Sequence, residues 1–335
     1  WPGHYVLQAY TPQTRDTPSG AWNRDSGDDY RLTRGSFWNA VGIRSPSTGD
    51  YDIYMFNNSV YGDPADHALL EDSTTGSLVD FTVIDGNHAP SGDYYTTVST
   101  YSGTGNYNIE HATRITDVLT GTYGPYTMTA AQVLRVWDAW LDAGVRKYYA
   151  LRPTSGDANL GMALFDSDPA TSATWYQGRS QYVAGADVNG AGGAELMNYQ
   201  TATADYHGLV VWNSAATTTT TFYLYADTDA PTGTIAVNSG AAAVNTTAVT
   251  LNLSATDVQT GVTQMRFSND NTTWSGWVPY AATYPWTLTA GEGTKTVYAQ
   301  FMNNVEMASA SVSDTIILDT TAPTGTVSIN AGAAF

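Results

Sequence analysis

The sequence predicts an all-β protein built as a multi-domain array of antiparallel β-sandwiches. Three observations carry that prediction. A block of anchor residues returns after 107–109 positions. Short segments of alternating apolar and polar residues, bounded by Gly, Pro, Asn and Asp, fill the chain. A phrase ending in Ala-Pro-Thr-Gly-Thr occurs at 230–234 and again 92 residues later, at 322–326.

The first repeat reads Asp29 to Gly35, then Ile43-Arg44 and Pro46, then Gly49-Asp50 and a strand ending at Phe56. Its second copy reads Asp138 to Gly144, then Leu151-Arg152-Pro153, then Gly156-Asp157 and a strand ending at Phe165. A near-constant offset over several anchors marks an internal duplication. The expected organisation is 1–11 as the last strand of a preceding repeat or an assembly strand, and 12–27 as a linker. Two sandwich repeats at 28–116 and 117–228 follow, then an immunoglobulin-sized domain at 229–320 and the start of another at 321–335. On this reading the chain is an excerpt of a longer array and a mature product or fragment, since Trp1 is not an initiator.

Taken in order, Tyr5 to Thr11 is similar to 107–113 and 222–228, the segments that close the two repeats. Its alternation suits a strand with one buried face, and a frayed tail is the competing reading. In repeat one, strands are expected at Phe37 to Arg44, Tyr51 to Phe56 and Leu78 to Ile84. A closing hairpin is expected from Tyr94–Tyr101 and Tyr107–His111 around Ser102-Gly103-Thr104-Gly105. In repeat two, Ala130 to Gly144 has helical spacing, with Thr129 as a candidate cap. Its counterpart before Gly35 has none, and duplicated units share a fold, so a strand is expected. Asp205 to Trp212 matches Asp93 to Thr100, and Thr217 to Thr221, β-branched throughout, enters the last strand. Beyond 229, strands are expected at 249–254, 262–268, 286–289, 294–301 and 314–318.

A chain of 335 residues that is 42% hydrophobic can bury several cores, and two to four domains are expected. Only 13% of residues are charged, about half the usual share, so Thr, Ser, Asn and Tyr must fill the polar faces. The net charge of −18 opposes binding to nucleic acid or to anionic lipid. The absence of cysteine excludes disulfides and thiolate metal sites. No run approaches the ~18 apolar residues of a membrane span.

The doubled block resembles the bacterial pre-peptidase C-terminal domain. The Asp-x-x-Leu-x-x-Gly lead, the Gly49–Phe56 strand, and Gly92 to Val98 with Gly105 to Ile109 carry the resemblance. The second copy departs from it at Ala158-Asn159-Leu160. The resemblance covers 28–228 and implies jelly-roll-like sandwiches that accompany secreted enzymes and surface proteins. Residues 229–320 resemble a bacterial immunoglobulin-like repeat of cell-surface proteins. Leu251 to Asp257, Met265 to Asp270, Trp274-x-x-Trp277 and Gly291 to Val297 carry that likeness, which implies spacing and display. The full expectation is two jelly-roll-like repeats plus one Ig-like domain.

No catalytic motif is found. His4, His67, His88, His111 and His207 are scattered, and no His-Glu-x-x-His, Gly-x-Ser-x-Gly or phosphate-binding loop occurs. Surplus carboxylates leave two readings open, surface solvation or bound calcium. The candidate ligands are Asp227 and Asp229 at the domain junction, Asp257, and Asp50 with Asp52; Asp25 to Asp29 and Asp166 with Asp168 are further clusters. Against them stands the habit of Asp to begin turns. Trp137, Trp140, Trp175 and Trp212 are glycan-binding candidates, with Trp274 and Trp277, and the alternative is core packing. Asn57, Asn245, Asn252 and Asn271 are glycosylation sequons. The expected function is a non-catalytic structural or adhesive module of an extracellular or cell-surface prokaryotic protein. It would self-associate or meet neighbouring surface proteins, and strand addition would let it form a filament or sheath. The alternatives are an accessory region of a secreted peptidase and a carbohydrate-binding module.

Overall fold

The computed structural model describes residues 5–6, 13–15, 28–56, 69–215 and 217–329. It divides into two compact units, Trp1–Thr228 and Asp229–Phe335. The described residues contain strands, turns and two short 3-10 turns, and no α-helix. No helix is long and apolar enough to cross a membrane.

The first unit begins with β1 (Tyr5–Val6), β2 (Gln13–Arg15) and β3 (Asp28–Thr33). Repeat one continues with β4 (Asn39–Arg44), β5 (Gly49–Phe56), β6 (Leu69–Ser73), β7 (Val79–Ile84), β8 (Asp93–Gly103) and β9 (Tyr107–Val118). Repeat two comprises β10 (Gly121–Met128), β11 (Leu134–Leu141), β12 (Arg146–Ser155), β13 (Asn159–Phe165), β14 (Tyr176–Gly178), β15 (Ala184–Ala186), β16 (Glu195–Gln200), β17 (Asp205–Ala215) and β18 (Thr220–Asp227). The helical spacing of 130–144 yields a strand, β11, as the duplication argument expects. The 12–27 linker contains β2, which pairs antiparallel with β9.

The duplication is visible in the topology. Repeat one orders its sheets β3-β8-β5-β6 and β7-β4-β9. Repeat two orders its own β11-β17-β13-β15 and β16-β12-β18, with β10 added outside β18. Each strand stands where its sequence counterpart does. The expected closing hairpin is not formed: β8 pairs with β3 and β5, whereas β9 pairs with β4 and β11. The Gly103–Gly105 turn carries the chain from one sheet to the other. Gly103 has φ +79°, and a Cβ there would lie 2.0 Å from the Thr48 carbonyl oxygen. Both strands thus send side chains into one core, with Tyr94, Val98, Tyr107 and Ile109 buried together.

The two repeats are not separate beads. β9 pairs in parallel with β11, so one sheet runs β14-β7-β4-β9-β11-β17-β13-β15 across both. Three apolar cores result. The first lies inside repeat one around Tyr51, Ile53 and Ile109. The third lies inside repeat two around Trp137, Leu160 and Phe222. The middle core joins them, with Trp38, Phe81 and Val83 packed with Leu134, Phe165 and Trp212. Period-two alternation explains how one strand serves two cores. In β17, Leu209 and Val211 enter the third core while Val210 and Trp212 enter the middle one.

The second unit comprises β19 (Thr232–Val237), β20 (Ala243–Val244), β21 (Ala248–Thr256), β22 (Val262–Ser268), β23 (Val278–Pro279), β24 (Thr283–Thr287), β25 (Gly293–Asn303) and β26 (Val312–Leu318). Sheets β19-β21-β24 and β20-β26-β25-β22-β23 enclose Val237, Leu251, Phe267, Val297 and Phe301. This two-sheet arrangement, antiparallel except for the short parallel β20–β26 pair, is the sandwich that its length suggested.

Candidate functional site

Charged side chains are rarely buried without partners, so buried ones show where this β scaffold holds polar chemistry. Three of them, Glu110, Asp85 and Asp138, lie at the joint between the repeats. Glu110 on β9 is fully buried. Its Oε2 accepts the backbone N–H groups of Val133 (2.6 Å) and Leu134 (3.0 Å), and Arg135 donates to its Oε1 at 3.3 Å. Burial raises its pKa, and these donors oppose the rise. The carboxylate thus holds the chain that leads into β11. Asp85 makes a second tie. It is buried, and both Ser167 of repeat two and the His88 imidazole bond to its Oδ2. Serine and histidine meet on one carboxylate oxygen here, which is not the relay of a nucleophilic serine.

Asp138 makes a third tie. Its Oδ1 accepts the Trp38 N–H at 3.2 Å, and its Oδ2 has no partner among the described residues. Burial pushes its pKa up to about 7; the Trp38 N–H and Arg114 oppose this, while Asp117 and Asp85 add to it. Between its unfolded and its raised folded pKa, such an acid is protonated in the folded state and ionised in the unfolded one. Its effect is therefore to lower stability as pH rises from about 4 towards 7. Asp138→Asn keeps the acceptor without the charge. It is expected to raise stability at pH 8 by on the order of 2–3 kcal/mol and to change little at pH 4.5. Denaturant unfolding at the two pH values checks this; an equal effect at both would refute it.

A different acidic cluster lies in repeat one. Asp50 and Asp52 on β5 and Asp80 on β7 each place a carboxylate oxygen within 4.8 Å of the others. Asp80 is fully buried. Its Oδ1 accepts Ser73 Oγ (2.7 Å), Thr75 Oγ1 (2.6 Å) and Thr75 N–H (3.3 Å), while its Oδ2 has no partner among the described residues. Burial raises Asp80 to about 6, against the pull of Thr75, Ser73 and Arg179. Burial also raises Asp52 to about 6, helped by Asp50 and Asp72. The set is all oxygen, so it suits a hard cation. Asp50 and Asp52 were legible as a pair. Asp80 was missed, although a carboxylate inside Val-Asp-Phe-Thr-Val-Ile (79–84), an otherwise apolar strand, was a signal.

Of the other acidic candidates, Asp257 and Asp168 hold turns. Asp257 Oδ1 accepts the N–H groups of Gln259, Thr260 and Gly261, and its Oδ2 accepts Asn303 Nδ2. Asp229 accepts Gln259 Nε2 at 2.7 Å. Asp227 is buried at the end of β18 and belongs to the first unit, Asp229 to the second. Asp168 caps its own turn through Ala170 N–H and Thr171 Oγ1. Asp166 lies 3.1 Å from the buried His207. The side chains of Asp25, Asp28, Asp29 and Asn57, and His4 and His67, lie outside the described residues.

The tryptophan candidates divide. Trp137 and Trp212 are buried in the third and middle cores, so neither offers a face to a sugar; alternation on β11 and β17 turns them inward. Trp140 is half-buried against Tyr206 and donates to Asp142 at 2.9 Å. Trp175 packs on the first core. Trp274 and Trp277 both stack on the Arg266 guanidinium, 4.9 and 4.5 Å from it. Asn245 and Asn271 are exposed. Asn252 is half-buried within β21, and its side chain accepts the Ser239 N–H at 2.8 Å.

A groove lined by Arg44, Ser45, Leu78, Asp157 and Thr217 crosses between the repeats. Its charged groups are engaged. Arg44 donates to Asn108 and to the carbonyls of Ala130, Gln132 and Asn213. Asp157 accepts both the N–H and the hydroxyl of Thr217 and of Thr218, which holds its pKa far below the usual carboxylate range.

No protein-family model matches the chain, and no curated protein does. The pre-peptidase C-terminal resemblance therefore rests on its motifs alone. Among solved structures, the fibronectin(III)-like modules of Clostridium thermocellum CbhA are 14% identical, covering 53% of this chain and 87% of theirs at a TM-score of 0.28. The PKD1 domain of Vibrio anguillarum Epp is 13% identical over 28% of this chain and 98% of its own, at 0.22. The adhesin domain of Streptococcus pyogenes Epf is 10% identical over 93% and 99%, also at 0.22. Scores this low assign neither a family nor an activity.

Proposed function

We propose that this chain is a non-catalytic structural or adhesive module of a secreted or cell-surface prokaryotic protein. The observation that carries the reading is the parallel β9–β11 pair, which runs one sheet through two duplicated sandwiches and encloses a shared core. Buried carboxylates at that joint are bonded to backbone and side chains of the other repeat. Their chemistry serves cohesion, as a structural or display element requires. The second unit, an immunoglobulin-sized sandwich, suits spacing.

The finer reading is self-association by strand addition. β1 pairs with β3 in parallel, the sense in which β9 meets β11. The same strand supplied by a neighbouring copy would take that edge in exchange for the chain's own β1. Deleting residues 1–11 is then expected to abolish assembly of the full chain, measured by light scattering and electron microscopy across a concentration series. Assembly that survives the deletion would defeat strand addition. A chain that stays monomeric at every concentration would defeat self-association and leave a spacer.

A further inference from the structure

We infer that Asp50, Asp52 and Asp80 form a calcium site that clips β5 in one sheet of the first sandwich to β7 in the other. Three features lead to it. The first is spacing. Oxygens that lie within 4.8 Å of one another fit around one ion whose metal–oxygen distance is about 2.3–2.6 Å, since opposite ligands then stand about twice that far apart. Magnesium, which dehydrates reluctantly and usually keeps several waters, suits a set of three protein carboxylates less well.

The second is the unpartnered oxygen. Asp80 is fully buried with three donors on Oδ1 and none among the described residues on Oδ2. A buried carboxylate oxygen without a donor forfeits its hydration, and a bound cation would supply the missing contact. Arg179, the nearby cation, is committed elsewhere. It donates to Ser77 Oγ and the Val79 carbonyl and pairs with Asp187 at 3.4 Å. Asp72, whose charge also acts on Asp52, adds to the negative potential.

The third is a comparison within the molecule. Ile43 pairs with Asp80 on β7, and its counterpart Leu151 pairs with Glu195 on β16, so Asp80 and Glu195 hold equivalent positions. Glu195 is buried too, but its two oxygens accept the Val188 and Asn189 N–H groups at 3.0 and 2.8 Å. Asp157, the second copy of Asp50, is bonded to Thr217 and Thr218. Repeat two satisfies both of these carboxylates with protein donors. Repeat one leaves three converging.

The test uses the full chain, stripped with EDTA and titrated with calcium chloride. Thermal unfolding of the first unit is expected to move up by about 5–10 °C at calcium one hundred-fold above its dissociation constant. Terbium should bind in calcium's place and luminesce on tyrosine excitation, since Tyr54 hydrogen-bonds to Asp52. Asp52→Asn with Asp80→Asn should abolish both signals. Should that variant not fold, Asp50→Asn, on a partly exposed side chain, should weaken calcium binding at least tenfold. No shift with calcium, a shift retained in the variants, or an equal shift with magnesium would each overturn the assignment.

Discussion

Glu110→Ala is expected to destabilise the first unit by about 3–5 kcal/mol, the range found when one partner of a buried charged network is removed. The substitution strands the N–H groups of Val133 and Leu134 and removes the carboxylate among the acceptors of Arg135. Each buried donor so abandoned costs about 1–3 kcal/mol. Glu110→Gln retains one acceptor oxygen and should lose about half as much. Hydrogen exchange gives a second readout, since the Val133 and Leu134 amides should lose protection before those of β12 and β18. A loss below about 1 kcal/mol, or unchanged exchange at 133 and 134, would show that the carboxylate does not hold the joint.

Trp38→Ala should cost a similar amount, about 3–5 kcal/mol, through the cavity left in the middle core. Trp38 is fully buried, and its indole N–H reaches the Tyr206 carbonyl at 3.3 Å. Its ring lies so close to Gly208 that a Cβ there would stand 2.4 Å from Cε3. Gly208→Ala alone is therefore an overpacking change, worth about 1–3 kcal/mol of destabilisation. In the Trp38→Ala background the same methyl has room, and its cost should vanish or reverse. A double-mutant cycle measures that coupling. Additive losses would mean that the two residues do not share the space assigned to them.

Much of the fold was written in local pattern. Turn residues and alternation place β4, β5, β7, β8 and β22 within two residues of their observed bounds, because side-chain period follows from backbone geometry alone. The duplication settled β11 against its helical spacing. Pairing was less accessible. Ser102 to Gly105 has the composition of a hairpin turn and instead bridges two sheets, since nothing local to it encodes where Tyr107 must be buried. The middle core was invisible for the same reason: Trp38 and Trp212 lie far apart in the chain and meet through a strand pair that no motif marks. Asp50 and Asp52 could be read as a pair from their spacing, whereas Asp80 joins them by way of the sheet-to-sheet packing. Trp137 was proposed for a surface role because residue type alone does not reveal which face of β11 it occupies.

The parallel joint has a geometric consequence. β9 is the last strand of its repeat and β11 the second of the next, so the surfaces that meet are unlike. A contact between like edges would relate the repeats by a two-fold axis and close on itself; a contact between unlike edges is directional. Repetition of such a contact gives a polar series in which every member points the same way; in this chain β10 lies along the outer edge of β18, the counterpart of β9, and covers that side of repeat two.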